Sequence, residues 1–241
     1  MQKFLKSFIL SVFTLSVFIL SASANAGLIT NGSFESLYDA SGGEIVNKTI
    51  ITEYTPGDGN RADYLSGLTE SGNWGIYDSL LGWSTINAAG IEVQYSGAVV
   101  DASDGNNYLE LDTHTNGTAG SNGGIYQSVT GLTIGQSYLL SFDYQGRLTD
   151  KASNEMTVSL TEGTNYVFKV SEEFTNKWTT YTHSFIASAT AMKLQFEGSG
   201  TADSKGALLD NVSLSAVSVP EPSVISLMLI ALCGIAMRKK S

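Results

Sequence analysis

Three carboxylates fall close together in the chain, Glu92, Glu110 and Asp112. Two carboxyl groups about 5–10 Å apart across a sugar cleft are the equipment of a glycosidase. Whether any of these acids pair that way depends on the elements that carry them. The two histidines, His114 and His183, lack metal-ligand spacing, and His183 alternates with Tyr181 and Phe185 as a core residue would. No Gly-x-Ser-x-Gly elbow occurs, and the glycines sit at turns rather than in a phosphate-cradling loop. These residue types point to binding rather than to covalent chemistry.

The elements that must position them read as strands. "GIEVQYS" puts Ile91, Val93 and Tyr95 on one face, and "NYLELD" sets Tyr108, Glu110 and Asp112 opposite Leu109 and Leu111. "QSYLLSFDYQGR" alternates Tyr138, Leu140, Phe142 and Tyr144, and "EMTVSLTEG" alternates Met156, Val158 and Leu160. Period-two alternation rich in β-branched and aromatic residues, broken by Gly, Asn, Asp and Ser clusters, predicts short strands joined by turns. "EIVNKTIITEY" is a weaker strand signal, and a long Gly-rich loop is expected from "TPGDGN" through "NWGIYDS". The fold class is all-β, a β-sandwich with jelly-roll topology, an up-and-down barrel being the alternative.

The ends are of another kind. Lys3 and Lys6 precede an apolar run from Phe8 to Leu20, and "SASANA" follows. This is the pattern of a cleavable signal peptide over residues 1–26. At the other end, residues 218–241 hold Pro220-Glu221-Pro222, an uncharged run from Val224 to Met237 and Arg238-Lys239-Lys240. That run is shorter than the roughly 17–25 residues of a usual spanning helix. Residues 27–217 remain as one domain, long enough for a real core. Five of the 13 Lys and Arg and one of the 23 Asp and Glu lie in the two ends. That leaves 8 bases against 22 acids, a net charge of −14, between them. Such a surface repels nucleic acid and anionic lipid and favours cations. The single cysteine, Cys233, lies in the tail, so the domain has no disulfide.

Two resemblances follow from these residues. "VPEP", the apolar run and the basic end resemble the PEP-CTERM sorting signal of Gram-negative bacteria. The resemblance implies recognition by an exosortase-type enzyme at Pro220, Glu221 and Pro222. It also implies transient membrane insertion through a C-terminal hydrophobic helix and delivery to the cell envelope or extracellular matrix. The domain itself resembles galactose-binding-like jelly rolls, the sandwich of many carbohydrate-binding modules. The matching pieces are "LITNGSFE" as an opening strand, "LGW", "IEVQ", "DGNNYLELD", "GGIYQSVTGLTIGQSYLLSFDYQGR" and "LLDNVSL" as the closing strand.

This second resemblance implies carbohydrate binding, an exopolysaccharide or other matrix glycan being the expected ligand. It also implies a structural calcium where first and last strands meet, with Glu35 and Asp210 as ligands and Asp104 of "SDGNN" as a third. Flat aromatic faces and a few polar groups recognise sugars. The candidates are Trp74 and Tyr77 in the Gly-rich loop, with Tyr95, Tyr144 and Arg147 on or just after strands. Each has a plainer reading: loop packing for Trp74, core packing for Tyr144, an ion pair for Arg147. Trp83 and Trp178 are expected in the core. A protein-binding matrix adhesin and a glycan hydrolase are the alternative functions.

Overall fold

The computed structural model describes residues 27–37, 74–77, 79–87, 90–113, 121–162 and 166–217. The expected signal peptide, the expected sorting tail and "EIVNKTIITEY" lie outside the described residues. Among those described there are fourteen strands, and no helix is long and apolar enough to cross a membrane.

The strands are β1 (Trp74–Tyr77), β2 (Ser79–Leu80), β3 (Trp83–Thr85), β4 (Ile91–Tyr95) and β5 (Asn107–Glu110). Then come β6 (Asp112–Thr113), β7 (Ser121–Asn122), β8 (Gly124–Thr130), β9 (Ser137–Gly146) and β10 (Met156–Thr161). The last are β11 (Tyr166–Val170), β12 (Thr179–Ile186), β13 (Ala191–Gly198) and β14 (Ala207–Ala216). They form two six-stranded antiparallel sheets. The first runs β1-β4-β5-β14-β9-β12 and the second β11-β10-β13-β8-β3-β2, with β6-β7 a separate ribbon. From β8 onward the chain keeps crossing between the sheets: β9, β12 and β14 enter the first, β8, β10 and β13 the second. This crossing makes the sandwich a jelly roll rather than an up-and-down barrel.

The alternating residues meet between the sheets. Leu140, Phe142 and Tyr144 of β9 face Val158, Leu194 and Phe196 of the second sheet in one buried cluster. Phe142 meets Phe196 edge-on at 5.2 Å and stacks on Tyr181 at 5.8 Å. Trp83 lies 1% exposed against Phe34 and Phe196, as expected of a core tryptophan. Burying each such side chain contributes about 1.5–3 kcal/mol.

Two expectations change. The Gly-rich stretch around Trp74 is not loop throughout: Trp74–Tyr77 pair with Gln94–Ile91 as the edge strand of the first sheet. The alternation of Trp74 and Ile76 with Gly75 and Tyr77 is a strand pattern that the surrounding glycines mask. In "LITNGSFE", conversely, residues 27–37 form no strand. Asn31 and Phe34 take positive φ of 53° and 57°, outside the extended range of regular strand backbone. The segment instead docks on the closing strand, where the Val212 amide donates to Gly32 O at 2.9 Å. A Cβ on Gly32 would lie 1.9 Å from Val212 O, so only glycine permits this approach.

β14 carries a bulge. Asp210 is opposite Asp143 and Ser213 opposite Ser141, so β14 has one residue more than β9 between these pairs. Leu209 and then Val212 and Leu214 therefore all reach the core.

Candidate functional site

The outer face of the first sheet is built from the alternate positions of the same strands. Cross-strand register puts Trp74 beside Gln94, Ile76 beside Glu92, Gln94 beside Tyr108 and Glu92 beside Glu110. Leu208 of β14 lies between Glu110 and Gln145. These side chains share one face because residues two apart on a strand point the same way.

A polar network runs across this face. Gln94 Nε2 donates to Glu92 Oε1 at 3.0 Å and also to Glu110 Oε2. Tyr108 OH donates to Gln94 Oε1 at 2.8 Å and accepts the Val99 and Val100 amides at 3.0 and 3.2 Å. Arg147, just beyond β9, pairs with Glu110, whose other oxygen accepts the Gly206 amide at 2.9 Å. Burial pushes the Glu110 carboxyl up, against the pull of Arg147. Burial works against the Arg147 charge too, but Glu110 outweighs it and holds the guanidinium above its ordinary range. Burial raises the Tyr108 hydroxyl to about 12.

Aromatic planes frame the network. Trp74 is half-buried on the edge strand. Trp178 is not in the sandwich core, contrary to expectation. It lies half-buried on the outer face with Val100 and Leu208, edge-on to Tyr108 at 5.7 Å. Its indole N–H donates to Asp101 O at 2.8 Å. The residue before β12 begins is free to fold back over the sheet, whereas alternation alone carries Trp178 inward.

The remaining aromatic candidates face the other way. Tyr77 and Tyr144 are buried in the main core cluster and Tyr95 packs against it. Tyr144 OH donates to Asn154 O at 2.7 Å and accepts the Glu172 amide at 3.1 Å, so its polar end is satisfied inside. Of the five aromatic and arginine candidates, only Trp74 and Arg147 reach the outer face. Gln94 and Gln145 carry no signal in the sequence, because polar residues on a half-exposed strand look like ordinary solvent-facing positions, and Glu92 stands out only as one of three nearby acids. Their near-complete burial is what sets them apart.

The three acids expected at calcium converge on one loop, Ser103–Asn107. Asp210 Oδ2 accepts the Ser103 and Asp104 amides at 2.8 and 2.9 Å, and Oδ1 accepts the Asn211 amide at 2.6 Å. Glu35 Oε1 accepts the Asn106 and Asn107 amides, both at 2.7 Å. Asp104 Oδ2 accepts the Ser33 hydroxyl. First and last segments meet here through main-chain N–H donors. Among the described residues no three His, Cys, Asp or Glu side chains gather as a metal cluster. Burial raises Asp210 to about 7.

A family model described as a protein of unknown function (DUF642) matches residues 78–215. The chain belongs to the DUF642 family. The match spans β2 to β14 and so includes most of the network on the outer face. Among curated proteins, this DUF642 chain is 32% identical over 148 residues to a multifunctional-autoprocessing repeats-in-toxin protein of Vibrio vulnificus. It is 26% identical over 207 residues to halomucin of Haloquadratum walsbyi. These stretches cover 60% and 84% of this chain but only 3% and 2% of those much longer proteins. Among solved structures, a CBM61 module in complex with β-1,4-galactotriose shares 17% identity at a TM-score of 0.43, covering 56% of this chain and 88% of the module. A CBM4 module shares 20% identity at 0.41, covering 78% and 99%.

Proposed function

We propose that this chain is an exported, non-catalytic carbohydrate-binding domain that takes a matrix polysaccharide on the outer face of its first sheet. One observation carries the reading: Trp74 and Trp178, two partly exposed indoles, share that face with a hydrogen-bonded row of Gln94, Glu92, Glu110 and Arg147. Apolar ring faces stack on indoles, and the buried row fixes Arg147, the member with exposed side-chain surface, as a donor to sugar hydroxyls. The galactose-binding-like resemblance supports the same ligand class. The signal-peptide and PEP-CTERM patterns support an envelope or matrix setting, with an exosortase-type enzyme as processing partner. The carboxylates argue against hydrolysis. One Gln94 nitrogen bonds both Glu92 and Glu110, leaving no room for a sugar ring between them.

A protein-binding adhesin is the second reading. It is favoured by two edge strands, β11 of the second sheet and β12 of the first, where Val167 and Ile186 are 66% and 57% exposed. An unpaired sheet edge with apolar side chains is a template for strand addition. Binding of the full-length chain to a panel of immobilised polysaccharides separates the two. Retention that is weakened by Trp74→Ala and untouched by Val167→Asp supports the glycan reading. Retention of none, or the reverse pattern, supports the adhesin.

A further inference from the structure

We propose that Asp112, Asn122 and Asp203 form a site for a divalent cation of the calcium class, at the end of the sandwich away from the Glu35–Asp210 loop clamp. Asp112 of β6 and Asn122 of β7 are register partners, so their side chains leave the ribbon on the same face. Both reach for the segment 200–205. Asp112 Oδ2 accepts the Asp203 amide at 2.7 Å and the Lys205 amide at 3.3 Å, and Asn122 Nδ2 donates to Gly200 O at 2.8 Å. The other carboxylate oxygen, Asp112 Oδ1, and the Asn122 amide oxygen are both buried without any hydrogen-bond partner. Asp112 itself is 0% exposed.

Two neighbouring acceptors with no donor are costly, because each forfeits on burial the hydrogen bonds it makes to water. Rotating the Asn122 amide does not help, since it would turn an oxygen onto Gly200 O. A third oxygen donor stands close by. The Asp203 carboxylate, held through Oδ2 by the Ser153 hydroxyl at 2.9 Å, is exposed and belongs to the residue whose own amide donates to Asp112. Neither Asp112 nor Asp203 has a Lys or Arg ion pair among the described residues. Two carboxylates and an amide oxygen without a compensating cation are the donor set of a hard oxygen-seeking ion. Solvent completes the coordination on the exposed Asp203 side. Ser204, between Asp203 and Lys205, holds a positive φ of 63°, the local bend that wraps this segment around Asp112.

The experiment is calorimetric titration of calcium chloride into the chelator-stripped full-length chain, beside Asp112→Asn, Asp203→Asn and Glu35→Gln. The proposal expects a dissociation constant of about 10⁻⁴–10⁻³ M, as in extracellular calcium modules. Asp112→Asn should lose this binding, and Asp203→Asn should weaken it roughly tenfold. Glu35→Gln should retain it. Asp203 is exposed, so its variant still decides if Asp112→Asn fails to fold. No calcium binding by the parent at millimolar concentration would overturn the site, as would unchanged binding in Asp203→Asn. Loss in Glu35→Gln alone would also overturn it, by placing the ion at the loop clamp. An infrared carboxylic-acid band at pH 7 that vanishes in Asp112→Asn would mean that a proton, not a cation, fills the gap.

Discussion

Glu92 and Glu110 stand directly opposite each other on β4 and β5, and a single Gln94 nitrogen binds both. On this buried face Arg147 pairs with Glu110, and its charge also feels Glu92. The arrangement fixes the polar face of the sheet, and it makes Arg147 important to stability.

Arg147→Met should therefore destabilise the chain by about 3–5 kcal/mol, because Glu110 is left buried and unpaired. The double variant Arg147→Met with Glu110→Gln should recover much of that loss. Urea unfolding of the four members of this double-mutant cycle measures both effects. A small loss in the single variant would mean that the pair is solvated.

Asp210 gives stability a pH slope. Burial raises its folded value to about 7, against about 3.9 when unfolded. The folded chain therefore holds this proton more tightly. The resulting stability is fully present below about pH 4 and lost as pH rises through about 7, by at most about 4 kcal/mol. Urea midpoints should fall from pH 4 to pH 8, and Asp210→Asn should flatten that fall. An equally steep slope in the variant would remove Asp210 as its cause.

The loop clamp depends on Gly105. Its φ is +69°, and a Cβ there would come within 2.5 Å of the Glu35 carboxyl. Gly105→Ala should cost about 1–3 kcal/mol from strain and displacement of Glu35. Amide exchange of Asn106 and Asn107 should quicken with it, since both amides donate to Glu35. Unchanged exchange at these two residues would count against the clamp.

Tyr144 tests which side of the sheet matters. Tyr144→Phe removes a hydroxyl bonded to Asn154 and Glu172 and should cost about 1–3 kcal/mol of stability. Glycan affinity should not change, because the ring lies in the core. A loss of affinity at unchanged stability would return Tyr144 to the ligand surface.

The inner face of the sandwich was legible in the sequence. Alternation placed Tyr138, Leu140 and Phe142 together, and they are together. What alternation does not carry is which outward residues stay wet. Glu92 and Gln94 lie on the polar side of the β4 alternation, yet both are buried. Trp178 was misplaced for the same reason: it lies one residue before β12 begins, where strand periodicity no longer governs direction. The galactose-binding-like resemblance sets Glu35 and Asp210 near one another, and both accept amides of the Ser103–Asn107 loop. Their amide partners belong to a loop far away in sequence, and pattern reasoning has no access to such contacts.

Glycan binding through Trp74 is the central claim, and one titration tests it most directly. The full-length chain and Trp74→Ala are each titrated with the polysaccharide that the parent retains best. The account predicts binding by the parent and roughly tenfold weaker binding by the variant, as for a truncated aromatic anchor. Equal affinity in the two proteins, or no polysaccharide bound by the parent, would contradict it.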